Sequence, residues 1–330
     1  CIKNGCLEVR AAMNEKTYRF HFYQNRKIYF AISIVVLVVG ILASIIIGPK
    51  LDIQFAGGSM ILYSVEGGQA DAAGIETAIV DSIGRDCEVT ISQDITTGGE
   101  QVNVSFAGNQ AMTPEEQTQV TEALQSAYPD LGFELLSSSS VEASMGARFF
   151  QKCLVCFAIT AVFLLVYIAL RFRKIGGLAA GVTAVIALMH DVLIAFCVFV
   201  IFGLDVDDVF IAVILTILGY SLNATIVVYD RVRENRRKLG PKVGYDEILN
   251  LSMNQTLSRT VLTSLCTFLA LVVVFIVALI FNIDTVVSFA LPMMAGVAAG
   301  CFSSQFIAPN LFGMWQIHKR NKLDAAKRKA

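Results

Sequence analysis

Charge is scarce in this chain. Asp, Glu, Lys and Arg make up 16% of its 330 residues, against a hydrophobic share of 55% and a mean hydropathy of +0.63. A soluble domain with so little charge could not wet its surface, so the bilayer is the expected solvent. Histidine is scarcer still: His21, His190 and His318 are the only three, and no ligand group falls at metal-binding spacing, which argues against a metalloenzyme. A Walker motif is missing, as is any Ser/His/Asp set able to converge in an exposed pocket. Fixed-period repeats and low-complexity tracts are absent too. Neither an enzyme nor a cofactor is expected. Of the eight cysteines, Cys153, Cys156, Cys197, Cys266 and Cys301 sit inside apolar runs, and Cys87 is alone in the one large polar segment, which leaves that segment no internal disulfide.

A membrane-spanning helix needs ~20 apolar residues to cross ~30 Å of hydrocarbon. Six runs reach that length, near 28–48, 153–170, 175–202, 209–229, 260–281 and 285–315, the third and sixth long enough to tilt or kink. The first run, at 21 residues, exceeds the ~7–15 of a signal-peptide core and reads as a retained anchor. The chain opens on Cys1, and Met13 is a candidate natural start; no function is attached to residues 1–12.

Basic residues resist translocation, so their positions set the orientation. Arg26 and Lys27 precede the first span, and Arg171, Arg173 and Lys174 follow the second. A further basic block from Arg231 to Lys242 follows the fourth span, and another closes the chain. The alternate loops carry Asp205, Asp207, Asp208 and Asp284. Both termini are therefore expected in the cytoplasm. The expected layout is a cytoplasmic segment 1–27, the first span 28–48, an extracytoplasmic domain 49–146, a five-helix bundle 147–315 with a cytoplasmic loop 231–258, and a basic tail 316–330.

Residues 49–146 hold two basic and fifteen acidic residues, a net of −13. The pattern reads strand at 59–65, helix at 69–82, strands at 88–95 and 101–107, a helix opened by Thr113-Pro114-Glu115-Glu116, and a last strand at 132–136. Thr113 as N-cap, Pro114 at the first helical position and Glu116 three residues after the cap make a strong helix start. Gly98-Gly99 suits a hairpin turn. The order βαββαβ predicts a ferredoxin-like α+β module inserted into an otherwise all-α membrane protein. The four serines within 136–143 predict a flexible tether on which the domain swings.

Ionisable residues at hydrocarbon depth are expensive and mark function by default. His190-Asp191 lies midway along the third span. Adjacent helical residues point about 100° apart, so the two are expected to address different neighbours and hand a proton between helices, the alternative being a satisfied packing pair. The fourth span carries Gly219-Tyr220-Ser221-Leu222-Asn223, a small and polar insert suited to close helix approach and interhelical hydrogen bonds. Asp230-Arg231 closes that span as an anchor at headgroup level. Arg259 opens the fifth span, and its side chain either snorkels to the interface or turns inward to Asp191 or to a partner's carboxylate. Gly57-Gly58, after Asp52, reads as a turn leading into a strand. Gln305, Pro292 and the Gly296/Gly300 spacing suggest a kink and close helix contact in the sixth span.

Several of these stretches are recognisable together. His190-Asp191-Val192-Leu193-Ile194, then Gly219 to Asn223, Thr225 to Asn235 with its Tyr229-Asp230-Arg231 core, Asn254 to Thr260, and the Asp-containing double-glycine stretch Leu51 to Gly58 closely resemble the SecD/SecF family of the RND superfamily, on its SecF side. The likeness covers roughly residues 15–316. It implies half of an RND-type bundle in the bacterial plasma membrane, paired with SecD and working beside the SecYEG channel, SecA and YajC. The cargo would be an unfolded exported polypeptide, the surroundings membrane lipids, and nucleic acid no partner. It further implies use of the proton-motive force in late export. Arg259 matches the family's arginine associated with proton passage, but where the family has an acidic residue after the asparagine of the fourth span this chain has Ala224. That departure leaves the carrier to SecD's intramembrane aspartate or to Asp191. The other reading, an RND-type exporter of small molecules or lipids, lacks the second large outer loop usual in such chains.

Overall fold

The computed structural model describes residues 20–50, 58–65, 71–93, 100–107, 112–129, 131–141, 143–240, 243–281 and 283–329. Asp52, Gly57, the Gly98-Gly99 turn and Met13 lie outside these residues. The chain is mostly helical, with a small antiparallel sheet set between its first two long helices. In order the elements are α1 (Arg26–Ile47), β1 (Gly58–Val65), α2 (Ala72–Ile83), β2 (Glu88–Gln93), β3 (Glu100–Ala107), α3 (Pro114–Ala127), β4 (Glu134–Val141), α4 (Ala143–Arg171), α5 (Gly177–Ile201), α6 (Asp208–Leu239), α7 (Tyr245–Ile280), α8 (Asp284–Phe302) and α9 (Ala308–Lys329). A 3-10 turn, Arg173–Ile175, joins α4 to α5, and a π turn, Ser303–Ile307, joins α8 to α9.

Six helical segments are long and apolar enough to cross a membrane, the sixth running through α8, the π turn and α9. Their apolar runs coincide with the six expected from sequence. The stretch 231–258, read as a loop, is mostly helix: α6 continues to Leu239 and α7 begins at Tyr245. The extensions hold because they pack. Asn235 Nδ2 donates to Ser252 Oγ at 2.8 Å, and the Arg236 guanidinium lies over the Tyr245 ring, 4.6 Å from its centre.

The small domain has sheet order β2-β3-β1-β4, all pairs antiparallel, with α2 and α3 packed on it. Alternation puts Ile61, Tyr63 and Val65 of β1 and Val102, Val104 and Phe106 of β3 on the helix side, where they are buried with Ile75, Ile79, Val120 and Leu124. The capping box at Thr113 forms as read: Glu116 N donates to Thr113 Oγ1 and Thr113 N to Glu116 Oε2. The serine tether does not. Ser137 to Ser140 belong to β4 and pair along β1, with a bulge at Leu62/Tyr63 and the Ser59 and Ser140 hydroxyls 2.9 Å apart. A main-chain ladder is indifferent to small polar side chains on an edge strand, and that outweighs their preference for loops.

In the bundle, α5 is the most buried of the six spans and α4 the most exposed. Small residues allow the close approaches. A Cβ on Gly177 would collide with the Ala169 carbonyl and one on Gly181 would sit 2.9 Å from that of Leu165, so α5 lies directly against α4. The Gly296/Gly300 expectation holds as well: a Cβ on Gly296 would strike the Ile217 side chain, and one on Gly300 would lie 3.1 Å from Ser221 Cβ. At the basic end of the bundle, Tyr23 N donates to Asn250 Oδ1 (2.8 Å) and Asn254 Nδ2 to the Phe20 carbonyl (2.8 Å), which straps the segment before α1 onto α7.

Candidate intramembrane polar site

The site is built by three elements meeting at mid-bundle. Asp191 on α5 is fully buried, and each of its oxygens is engaged. Oδ2 accepts from Ser221 Oγ of α6 at 2.5 Å and from Ser303 Oγ of the π turn at 2.7 Å; Oδ1 lies 2.9 Å from His190 Nδ1. Two sequence devices put these donors in reach. Gly296 and Gly300 let α8 lie close against α6, and the π turn inserts an extra residue per turn just where Ser303 must aim inward.

His190 and Asp191 therefore do not address different neighbours, as their spacing on the helix predicted. The imidazole folds back onto its neighbour's carboxylate because that carboxylate, at a depth where a charge costs ~2.5–3.5 kcal/mol on insertion scales, needs a third partner. Nδ1 is the ring nitrogen turned to Asp191, and Nε2 is the other. That nitrogen is buried and has no hydrogen-bond partner among the described residues.

The polar insert of α6 faces three ways. Ser221 turns inward to Asp191, and Tyr220 donates its hydroxyl to Ser264 Oγ of α7 at 2.9 Å. Gly219 and Asn223 lie on the exposed stripe of α6, and nothing stands within 4 Å of where a Gly219 Cβ would be. Gly219 is thus not a point of close helix approach among the described residues. Arg259 is exposed on α7 and lines a polar basin at the basic end; it is not brought to Asp191. Asp230 pairs with Arg171 (3.3 Å) and Arg233 (2.9 Å), while Arg231 bonds Glu234 and Gln255, both at 2.6 Å. Gly58 opens β1, opposite Ala107 and Val141.

Two participants escape a reading of the sequence, Ser303 and Tyr229, while Gln305 makes the close helix contact expected of it in the sixth span. Ser303 is one, although a polar triplet Ser303-Ser304-Gln305 inside an apolar span was the available signal. Gln305 Nε2 donates to the Met253 carbonyl at 2.7 Å, tying the π turn to α7. Tyr229 is the second: fully buried, its hydroxyl sits 2.7 Å from Thr183 Oγ1 and 3.2 Å from the Ala308 carbonyl, a second polar knot about two helical turns along α5 from the first.

Residues 119–318 match the family model for the C-terminal region of the protein export membrane proteins SecD and SecF. The protein translocase subunit SecF of Thermobaculum terrenum is 30% identical over 91% of this chain and 97% of its own length, and that of Cereibacter sphaeroides is 33% identical over 90% and 89%. The SecDF subunit of Bacillus subtilis is 30% identical over 90% of this chain but only 38% of its own length. Among solved structures, the crystal structure of the translocon-associated SecDF of Thermus thermophilus superposes with a TM-score of 0.72 at 26% identity, covering 90% of this chain and 38% of that one. A SecDF in its super-membrane-facing form gives 0.62 at 27%, over 94% and 40%. The long SecDF chains are thus matched over about two fifths of their length. By sequence, extent and fold, the chain belongs to the SecD/SecF family of protein export membrane proteins, as a SecF-type subunit of the Sec translocase.

Proposed function

We propose that this subunit forms one half of an RND-type bundle whose other half is SecD, and that the pair uses the proton-motive force to promote late steps of export. Support for the pairing comes from the SecDF relatives, in which the matched region occupies about two fifths of one long polypeptide. The proton-coupling reading rests on one observation: a carboxylate caged at mid-bundle beside an imidazole whose outer nitrogen has no partner among the described residues. His190, Asp191 and Ser221 hold and exchange the proton. Asn223 and Arg259 lie on exposed faces of α6 and α7, where SecD's intramembrane carboxylate would meet them. Ala224 offers no carboxylate there, so the cation at Arg259 acts on the partner's acid by proximity.

In the same reading the protein resides in the bacterial plasma membrane with both termini in the cytoplasm and residues 49–146 outside. That domain is ferredoxin-like, and with SecD's it contacts unfolded polypeptide emerging from SecYEG, with SecA and YajC as further neighbours. One charge crossing ~100 mV supplies ~2.3 kcal/mol, enough to bias a two-state movement roughly fifty-fold. It is ample for preventing backsliding.

The test is proton uptake by vesicles containing this chain with SecD, together with pulse-chase export in cells depleted of SecF. Arg259→Ala is expected to abolish both while SecD still co-purifies. Normal export and proton flux by that variant would sink the coupling role; failure of the unaltered chain to restore export would sink the whole assignment.

A further inference from the structure

At the basic end, the end of α4, the 3-10 turn, α6 and α7 surround a basin of about 1340 Å³. Eight Lys or Arg side chains and two carboxylates line it. Both carboxylates are already engaged, Asp230 by Arg171 and Arg233 and Glu234 by Arg231 and Lys238. Arg236 is committed to the carbonyls of Gly240 and Val243. Arg173, Lys174, Arg237 and Arg259 remain, exposed and with no acidic partner among the described residues. Four like charges from three separate elements are held around one space, a repulsive arrangement that an anion would relieve.

Depth identifies the anion. The basin sits where the apolar runs of α4, α6 and α7 end, and Leu170 and Val227 of those runs form part of its wall. A ligand seated there has its charge at headgroup level and an apolar portion running into hydrocarbon. Guanidinium forks match phosphate oxygens in pairs, and basic pockets between helices at the interface suit multiply charged headgroups. We propose that the basin binds the headgroup of an anionic phospholipid carrying two phosphates, its acyl chains passing over the exposed side of Leu170. This holds on either side of the membrane and does not depend on proton coupling.

The full chain, delipidated in neutral detergent, is titrated with diphosphatidylglycerol, phosphatidylcholine and inorganic pyrophosphate, with bound molecules counted by native mass spectrometry. Tight, stoichiometric binding of diphosphatidylglycerol is expected, with pyrophosphate failing to displace it. Arg173→Gln/Lys174→Gln/Arg237→Gln should weaken binding by about a hundred-fold, roughly a factor of five per cation. Lys319→Gln/Arg320→Gln/Lys322→Gln, which removes three exposed cations of α9 outside the basin, should leave it unchanged. Equal loss in both triple variants, or none in the first, would overturn the site. Displacement by pyrophosphate would make it a free-anion site, and exclusion of the lipid when SecD is bound would assign the basin to the subunit interface; either result defeats the proposal.

Discussion

At the scale of single residues, Asp191 is the position on which most depends. Its two serine donors and the imidazole can satisfy either a carboxylate or a neutral acid, but only the native side chain can exchange a proton. Asp191→Asn keeps the volume and most hydrogen bonds, so it should assemble normally and lose proton flux, a result read from the same vesicles; Asp191→Leu should instead fail to accumulate, since it leaves Ser221 and Ser303 without their acceptor in an apolar interior. Cys87 makes a separate case in the small domain. Burial pushes its thiol up to about 11, with Glu76 and Asp86 adding to the shift. Because the thiolate is the reactive form, alkylation near pH 7.5 should run about a hundred-fold slower than for an ordinary thiol and accelerate about ten-fold per pH unit up to that value. The sign is fixed by the direction of the shift: the folded state resists ionisation, so stability is lost as pH rises from the ordinary thiol range towards about 11. A rate that levels off in the ordinary thiol range, well short of about 11, would show that Cys87 is not held in this environment.

At the scale of elements, what decides the site is helix approach. Gly300→Val places methyls against Ser221 and should pull the hydroxyl off Asp191, an overpacking cost of about 1–3 kcal/mol read as a lower melting temperature together with lost proton flux. The Thr113 cap gives a milder test: Thr113→Ala should cost about 1 kcal/mol, seen as several-fold faster hydrogen exchange in the first turn of α3. These elements differ in how far the sequence betrays them. The six apolar runs, the βαββαβ order and the cap were legible because each follows from local pattern: length of run, period of alternation, spacing of Thr and Glu. The fold of His190 onto Asp191, the inward turn of Ser303 and the strand formed by Ser137 to Ser140 were not, since each depends on what a distant segment offers. Asp191 takes two of its three partners from α6 and the π turn, and β4 exists because β1 has an open edge. Likewise Arg259 could be placed at the interface by its neighbours in sequence, but only the packed bundle shows that it stands apart from Asp191, among other cations.

At the scale of the whole molecule, charge is sorted by position, with a small domain of strongly acidic sequence at one end of the bundle and the cations gathered at the other. If that sorting reflects orientation, a cysteine at Thr118 in an otherwise cysteine-free chain should react with an impermeant maleimide in intact spheroplasts, and one at Lys238 only after permeabilisation. The reverse labelling would invert the proposed topology. The join between the two bodies bears on how they can work together. Strand β4 ends at Val141 and α4 begins at Ala143, a single residue apart. With the two elements that close in sequence, a tilt of α4 within the membrane is expected to turn the sheet with it, as a crank turns its shaft. Lengthening that junction by a short run of glycines should therefore uncouple the two bodies, sparing assembly and proton flux while export falls.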